Sequence, residues 1–441
     1  MTIVQSLAAY GAQLSYQTLA PEVLHHAKRA IIDWYAALLP GAVCEPPTLL
    51  EQALAEDLDH GCARLALGRA ASTRTAALIN GTAAHTVEFD DIYREAIYHP
   101  GAPTIAAAWA VAQETQAAGL DVLRAVVAGY EISTRIGATL GRAHYKHWHN
   151  TGTVGSFGAA AAAATLYRLL PPAYAHALAT AGTFAAGLQQ AFRMDSMSKP
   201  LHAGRAAEAG VLAAQAARAG VTGSLDILEG ESGIGVAMGN GPHWASMLDN
   251  LGEVYNIQHI TFKNHACCGH TFASIDGALA LQHRMGVRAQ DLASVHIDTY
   301  QPALDVAGNP NPQTAAEARF SLPFVVASAL VHGSVRLAAF TPERLADPQV
   351  RSLMQRLSLR ADAQIDAGFP GQRSARVRLI TRDGRDDVFF QPNRIGDPED
   401  PLSDADLDGK FMELAGPVIG DAPARGLLQQ LWQLDRARQV P

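Results

Sequence analysis

Two Ala-rich stretches constrain the fold of this chain more than any other feature. GAAAAAATLY (residues 158–167) and AGRAAEAGVLAAQAARAG (residues 203–220) carry small side chains on more than one helical face. A helix without a continuous polar face is usually buried, and small side chains let neighbouring helix axes approach closely. The two stretches therefore predict several layers of closely packed helices.

The helical pattern extends over most of residues 4–250. In the clearest case, Pro21 marks a helix start, apolar residues recur on one face, and Pro40-Gly41 marks the stop. The same reasoning predicts further helices near residues 45–58, 72–88, 103–119, 121–138, 153–168, 171–182 and 202–219.

The pattern changes after about residue 266, where β-branched residues, alternation and turn signals favour strands. Strands are predicted at 294–300, 357–363, 374–384 and 386–390, with helices at 315–333 and 347–357. Ser403, with Asp406 three residues later, predicts the cap of a returning helix. The predicted fold class is mainly α: a large all-helical domain of residues 1–266 plus 400–441, and a smaller α+β lid domain of residues 267–399.

Composition excludes several classes of function. Of the 441 residues only 17% are charged, the formal net charge is -8, and no Lys/Arg-rich run occurs. Nucleic acid and anionic membranes are therefore poor partners. The absence of a signal-peptide pattern, of about 18 consecutive apolar residues, and of a disulfide framework among four cysteines predicts a cytoplasmic protein.

Four polar stretches interrupt this apolar background. The first, residues 85–101, reads HTVEFDDIYREAIYHPG and offers Glu88, Asp90, Asp91 and His99. A helix through residue 88 would place His85 and Glu88 on one face. Two adjacent acids at a helix C-terminus interact unfavourably with the helix dipole. Stabilisation of the helix therefore does not explain their presence. A solvated helix end is the alternative to an active site.

The second stretch, residues 141–158, is rich in histidine and glycine. His144, His147 and His149 could be a zinc site, because imidazoles at short spacing suit that ion. Tyr145 lies among them. The glycines at 152, 155 and 158 open a predicted helix whose free N–H groups could hold a carboxylate or phosphate.

The third stretch, residues 193–210, contains Lys199 just before Pro200, followed by His202 and Arg205. A lysine in front of a helix start is misplaced for helix stability but well placed to hold an anion there. The alternative is that Lys199 is a surface lysine without a role in binding.

The fourth stretch, residues 262–278, spans the predicted domain junction, which is a common position for a substrate cleft. It contains the adjacent Cys267 and Cys268 together with His270. These thiols are reactive groups or inert packing, and the other two cysteines lie too far upstream to suggest an iron–sulfur cluster.

These stretches, in this order, resemble the MmgE/PrpD family over nearly the whole chain. The motifs that carry the resemblance are HTVEFDD, HPGAPTIAAAWAVAQ, HNTGTVGSFGAA, SMSKPLHAGRAAEAG, ILEGESGIG and FKNHACCGHTFASIDGALAL. The resemblance implies a homodimer, a helical domain with an α+β lid, and no metal or organic cofactor. It also implies that His99, His149, Lys199 and an acid of EFDD line the site.

This chain departs from the family pattern at three places. Family members often have Asp-Phe-Asp-Asp where this chain has Glu88 to Asp91. The acid that lines the site is therefore Glu88, Asp90 or Asp91, and the sequence does not choose between them. At the position of a catalytic histidine of cis-aconitate decarboxylase the chain has Cys268, with His265 and His270 flanking it. The tyrosine that the decarboxylase has in its lid has no obvious counterpart in this chain.

The family's reactions move a proton next to a carboxylate, which needs cationic groups, a base and an acid. The predicted catalytic residues are His99, His149, Lys199, Asp90, Asp91 and Tyr145, and the predicted substrate-binding residues are Glu88, His202, Arg205, Cys268 and His270. The leading hypothesis is a cofactor-independent hydro-lyase acting on a 2-methylcitrate-like di- or tricarboxylate. The alternatives are an epimerase, racemase or decarboxylase of the same family, a metal-dependent hydrolase using His144, His147 and His149, and an inactive helical binding protein.

Overall fold

The computed structural model describes residues 1–192 and 196–440. The first three residues of the third polar stretch, 193–195, lie outside the described part of the chain. Contacts within the chain divide it into two units. The helical unit comprises Met1–Thr261 and Ser403–Pro441, and the α+β unit comprises Phe262–Leu402.

The helices account for most of the described residues, which confirms the predicted fold class of a mainly α protein with a smaller α+β part. They are α1 (Ile3–Gln13), α2 (Pro21–Ala42), α3 (Pro47–Ala53), α4 (Thr73–Thr86), α5 (Gly101–Thr115), α6 (Gly119–Tyr145), α7 (Asn150–Thr153), α8 (Gly155–Leu166), α9 (Pro171–Phe184), α10 (Ser198–Arg218), α11 (Ile234–Ala237), α12 (Phe272–Met285), α13 (Gln301–Ala307), α14 (Ala315–Arg319), α15 (Leu322–His332), α16 (Pro342–Leu345), α17 (Pro348–Met354), α18 (Ala363–Gly368), α19 (Asp404–Ile419) and α20 (Asp421–Trp432).

The strands form two sheets. A small antiparallel pair joins β1 (Leu58–Arg64) to β2 (Ala70–Ala71) in the helical unit. The α+β unit contains β3 (Leu292–Thr299), β4 (Leu357–Ala361), β5 (Ala375–Thr381) and β6 (Asp386–Gln391) in the order β4-β3-β5-β6. The β3–β4 pair is parallel, and the other two pairs are antiparallel.

Helix α8 lies at the centre of the helical unit, as its Ala-rich sequence predicts. All twelve of its residues are buried, and it packs against α5, α6, α9 and α10. Glycines allow these close approaches. A Cβ on Gly204 would lie 2.2 Å from the carbonyl oxygen of Leu78 in α4, and a Cβ on Gly210 would lie 2.5 Å from the backbone nitrogen of Ala160 in α8. Helix α10 is thereby held tightly between α4 and α8.

The C-terminal helices belong to the helical unit, because α19 packs against α2 and α20 packs against α19 and α2. Ser403 caps α19 in a capping box with Asp406, as the sequence predicts. In the α+β unit, α12 packs against β5 and β6, and the buried residues of β3 and β5 alternate as expected for a sheet covered on one face.

Several predicted boundaries are wrong for local reasons. The helix predicted at 45–58 ends at Ala53, and the chain then enters the β1–β2 hairpin. The helix predicted at 315–333 is two helices, because Ser321 caps α15 and Pro323 occupies its first turn. Helix α10 begins at Ser198, four residues earlier than predicted. No helix within the described residues has the length and apolarity needed to cross a membrane.

Candidate active site

The loop after α4 carries three carboxyl groups, those of Glu88, Asp90 and Asp91, which lie in different directions. Helix α4 ends at Thr86, so the predicted placement of Glu88 on that helix is wrong. Glu88 has a left-handed backbone with φ 58°, which is uncommon for a residue with a side chain. This conformation turns the chain immediately after the helix. As a result Glu88, Asp90 and Asp91 meet different partners.

Asp90 lies buried between two imidazoles. Its Oδ2 is 2.7 Å from Nδ1 of His85 and 3.3 Å from Nδ1 of His99. Burial disfavours the carboxylate, but the charges and hydrogen bonds of the two histidines outweigh burial and hold the pKa of Asp90 well below its usual range. An ionised Asp90 accepts a hydrogen bond from the Nδ1–H group of His85, which fixes the orientation of that ring.

His85 belongs to the site although it is not among the residues predicted from the sequence. Its side chain is fully buried, in the last turn of α4, and it contacts Asp90 and the rings of His99 and His149. The available signal was its position five residues before Asp90 across a helix end. That spacing fits no regular helical face, so periodicity did not point to it.

His149 and His202 extend this cluster. The ring of His149 stacks on that of His85 at 5.5 Å, and its Nδ1 is 3.1 Å from Nδ1 of His202. Burial and the neighbouring charges of His85 and Lys199 hold the pKa of His149 well below its usual value. Burial and the same two charges lower the pKa of His202 to about 4. Both imidazoles are therefore neutral near pH 7.

Lys199 forms an ion pair with Glu88. It lies in the first turn of α10 rather than before the helix, which corrects the sequence prediction. Burial opposes its charge, but attraction to Glu88, a hydrogen bond to Glu88 and the negative charge of Asp90 outweigh burial and raise the pKa of Lys199. Its ammonium also lies 5.1 Å from the ring centre of Phe192. The site thus holds a permanent positive charge.

Asp91 faces away from the histidines. Its two carboxyl oxygens accept hydrogen bonds from the backbone N–H of Gly101, at 3.0 Å, and the hydroxyl of Tyr130, at 2.7 Å. Burial, followed by the nearby carboxyl group of Asp33, raises the pKa of Asp91 to about 8. Asp91 is therefore mainly protonated at neutral pH.

Replacing Asp91 by Asn is expected to flatten the pH dependence of stability. A carboxyl group whose pKa rises from 3.8 to about 8 on folding stabilises the protein at low pH, and that contribution is lost as the pH rises to about 8. Between pH 5 and 8 the wild type should lose up to about 1.4 kcal/mol per pH unit relative to Asp91→Asn. Urea unfolding of both proteins across this range measures the difference, and parallel curves would contradict it.

Two other predicted residues lie at the margin of the cluster. Tyr145 is half-buried at the end of α6, close enough to Lys199 for its phenolate charge to raise the pKa of that lysine. Arg205 is exposed and forms an ion pair with Glu208 at 2.6 Å. The structure therefore gives Arg205 no contact with the histidine cluster.

The predicted residues of the fourth stretch lie in the α+β unit. His270 Nδ1 is 3.0 Å from the hydroxyl of Tyr300, and burial together with Arg373 and Arg394 lowers the pKa of His270 to about 3. Cys268 is half-buried. Burial raises the pKa of the Cys267 thiol to about 12, so that thiol is inert packing rather than a nucleophile.

In the Gly-rich segment the backbone N–H groups of Gly152 and Gly158 donate to the carbonyl oxygens of His149 and Val154, so these two groups are not available to hold an anion. A Cβ on Gly152 would lie 2.4 Å from the carbonyl oxygen of Ala186, and one on Gly155 or Gly158 would meet side chains of α5. These glycines serve close packing. The segment opens two helices, the four-residue α7 and then α8.

The predicted zinc site of His144, His147 and His149 does not assemble. Both ring nitrogens of His144 are engaged, with the carbonyl of Met238 at 2.9 Å and the hydroxyl of Thr153 at 2.7 Å, and His147 is exposed. Among the described residues, a different group offers ligand atoms within 4.8 Å of one another: His85, Asp90 and His99. Two imidazoles and a carboxylate suit zinc or iron, so these residues could hold a divalent metal ion.

Two models of one protein family match this chain. Residues 5–247 match the MmgE/PrpD N-terminal domain, and residues 265–434 match the MmgE/PrpD C-terminal domain. Together the two matches cover most of both units.

Several relatives match most of this chain. A cis-aconitate decarboxylase-like protein, oryM, of Aspergillus oryzae is 26% identical over 99% of this chain and 95% of its own. The cis-aconitate decarboxylase of Mus musculus is 29% identical over 78% of this chain and 72% of its own. The cis-aconitate decarboxylase of Aspergillus terreus is 24% identical over 99% of this chain and 94% of its own. On the two domain matches, this chain is a member of the MmgE/PrpD family of enzymes.

Proposed function

We propose that this protein is a cofactor-independent lyase that removes water from a 2-methylcitrate-like di- or tricarboxylate. The observation that supports this most is the single carboxylate of Asp90 between the imidazoles of His85 and His99, with neutral His149 beside them. Such a cluster supplies a neutral imidazole that can accept a proton and a second imidazole whose protonated form is stabilised by a carboxylate.

The base in this proposal is His149. Because burial and neighbouring positive charges keep its imidazole neutral, it can accept the proton from the carbon next to a substrate carboxylate. His99 is the acid, since the adjacent Asp90 carboxylate stabilises its protonated form. The carbon–oxygen bond breaks as His99 donates a proton to the leaving hydroxyl. Water is released, and exchange with solvent restores both histidines.

Lys199 would stabilise the negative charge that develops when the proton leaves. Its ammonium is fixed by Glu88, and an ion-paired lysine in a largely buried position costs little reorganisation when an anionic substrate approaches. His202, which contacts His149, would hydrogen-bond a second carboxylate. In this proposal Lys199 and His202, both in α10, bind the substrate carboxylates.

Loss of CO₂ is the close alternative to loss of water. It is supported by the relatives, which carry the name cis-aconitate decarboxylase. The carbon–carbon bond to the departing CO₂ would break with its electron pair left on the remaining carbon, Lys199 would stabilise that negative charge, and His99 would donate the proton to the carbon. An epimerase would use the same proton transfer without loss of either group. Homodimer formation and a cytoplasmic location stay predictions from the sequence.

Proton NMR of a panel of di- and tricarboxylates incubated with the protein in D₂O tests the proposal. We expect deuterium at the carbon next to a carboxylate, together with an unsaturated product. His149→Gln should slow exchange by at least 100-fold, the usual contribution of a positioned base. His176→Gln is the matched control, because His176 bonds the carbonyl of Gly223 outside the cluster. The absence of exchange with every acid would refute the proposal.

A metal-dependent hydrolase is the second candidate, and one observation favours it. The ligand atoms of His85, Asp90 and His99 have the spacing of a metal group. Elemental analysis of purified protein separates the two candidates. Stoichiometric zinc or iron, with activity lost on chelation and restored by that metal, would favour the hydrolase over the acid/base lyase.

A further inference from the structure

A recess of about 700 Å³ opens beside His202 in the helical unit. Its lining includes Trp148, Ala186, Leu188 and Ala191. The side chains of these four residues are predominantly apolar, and Leu188 is 54% exposed. The polar side chains of the lining are those of Gln190, Ser196, Ser198, His202 and Arg205. A volume of this size suits a ligand considerably larger than a six-carbon polycarboxylate.

The recess has a fixed wall. Trp148 and Leu188 form an antiparallel bridge, and the backbone N–H of His149 donates to the carbonyl of Gly187 at 2.9 Å. Gly187 has φ 129°, a conformation that favours glycine, and its missing side chain leaves room for the ring of His202 3.3 Å from an ideal Cβ position. The apolar wall is therefore built from the same backbone that positions the proposed base.

The recess and the acid/base cluster share one residue. His202 lines the recess and also contacts Nδ1 of His149. A substrate held by Lys199 and His202 would have its carboxylates at this end. Any part of it that extends past His202 meets the hydrocarbon surfaces of Trp148 and Leu188, which satisfy no charge.

We propose that the preferred substrate is an alkyl-substituted polycarboxylate whose hydrocarbon substituent, longer than a methyl group, occupies this recess. The inference rests on the proposed function and adds a substrate class to it. The carboxylates are met by the charged groups of α10, and the substituent is met by the apolar wall. Burial of each added methylene should favour the bound state.

A homologous series tests the inference. Polycarboxylates with a substituent of one to six carbons, in the 2-alkylcitrate and the corresponding unsaturated forms, are incubated with the protein, and loss of water or CO₂ is followed by NMR. We expect kcat/KM to rise about three- to fourfold per methylene over the first few carbons. The rise should be lost in Leu188→Asp, because a carboxylate on the wall must be desolvated by the alkyl chain.

Leu67→Asp is the matched control. Leu67 is also 54% exposed but lies in the turn between β1 and β2, outside the recess. This variant should keep the wild-type dependence on chain length. The measured quantity is the ratio of kcat/KM for the four-carbon and one-carbon substituents, which should fall at least tenfold in Leu188→Asp alone.

The outcomes separate this inference from the function on which it rests. Turnover of the methyl compound with no gain for longer chains would overturn the inference and leave the proposed lyase intact. No turnover or exchange for any member would overturn the proposed lyase itself. A Leu188→Asp protein that changes oligomeric state in light scattering, with all members slowed equally, would assign the recess to an interface between copies and refute the inference.

Discussion

Asp90→Asn should lower kcat/KM by roughly 10³-fold or more while the protein stays folded. The Asp90 carboxylate faces Nδ1 of both His85 and His99, and an amide cannot supply the same negative charge to two imidazoles. Replacing the carboxylate that orients a catalytic histidine by its amide has effects of about 10⁴-fold in serine proteases, where the ring is held in the wrong tautomer. Steady-state kinetics at several pH values measure the loss.

The matched control is Asp91→Asn, one residue further along the same loop. The Asp91 carboxyl group bonds Tyr130 and Gly101 and is mainly protonated near pH 7, so an amide of the same shape replaces it with little change. We expect kcat/KM to stay within tenfold of wild type, about 1.4 kcal/mol. This pair of variants decides between the two adjacent acids.

Two results would contradict the assignment of Asp90. One is an Asp90→Asn protein with nearly full activity. The other is an equal loss in Asp91→Asn, which would mean that the loop, rather than one carboxylate, carries the effect. The pH profile adds a separate measurement, since a general acid limits activity at high pH, and loss of the Asp90 charge should move this alkaline limb to lower pH.

Lys410→Met should destabilise the helical unit by about 3–5 kcal/mol, as expected when one partner of a buried ion pair is removed. Lys410 is fully buried in α19, and its ammonium is 2.6 Å from Oδ1 of Asp33 in α2 and 2.8 Å from the carbonyl oxygen of Phe89. The substitution leaves Asp33 charged and buried. The midpoint of thermal unfolding should fall by about 10 °C.

Two control variants separate this burial effect from a general loss of contacts at the C-terminal segment. Lys28→Met removes another link between α2 and that segment, the 2.5 Å pair with Asp435, but the pair is partly exposed and should contribute at most about 1 kcal/mol. The double variant Asp33→Asn with Lys410→Met removes both charges and should recover part of the lost stability. A single variant as stable as wild type would contradict the prediction.

The same substitution should also reduce activity in protein that remains folded. Lys410 holds the carbonyl of Phe89, between Glu88 and Asp90, and its ammonium lies 4.1 Å from the ring centre of Phe89. Without that contact the loop is free to move, and small displacements of catalytic groups are costly. A fall in kcat measured well below the lowered unfolding temperature would reveal this positioning effect.

Local sequence was sufficient to predict those structural features that depend on one short segment of the chain. Ser403 and Asp406 predicted the cap of α19, and the Ala-rich pattern of α8 predicted its complete burial. Alternation, β-branched residues and turn signals located all four strands of the larger sheet. In each case hydrogen bonds or side-chain periodicity within a few residues carry the signal.

The sequence also identified most polar groups of the site, with the exception of His85, but not how they pair. Glu88, Asp90 and Asp91 were equivalent candidates until the left-handed backbone of Glu88 separated their directions. Glu88 then meets Lys199, more than one hundred residues away, and Asp90 meets His85 and His99. The pairing depends on contacts between α4, the loop after it and α10, which local patterns do not encode.

The sequence by itself determined the family, the helical class and the short list of residues that bear chemistry, because periodicity, caps and motifs are local properties. Tertiary structure alone decided which acid holds the histidines, that His85 belongs with them, and that Lys410 secures the loop from the far end of the chain. Charge, burial and hydrogen bonding set these roles, and each is a property of groups brought together by folding.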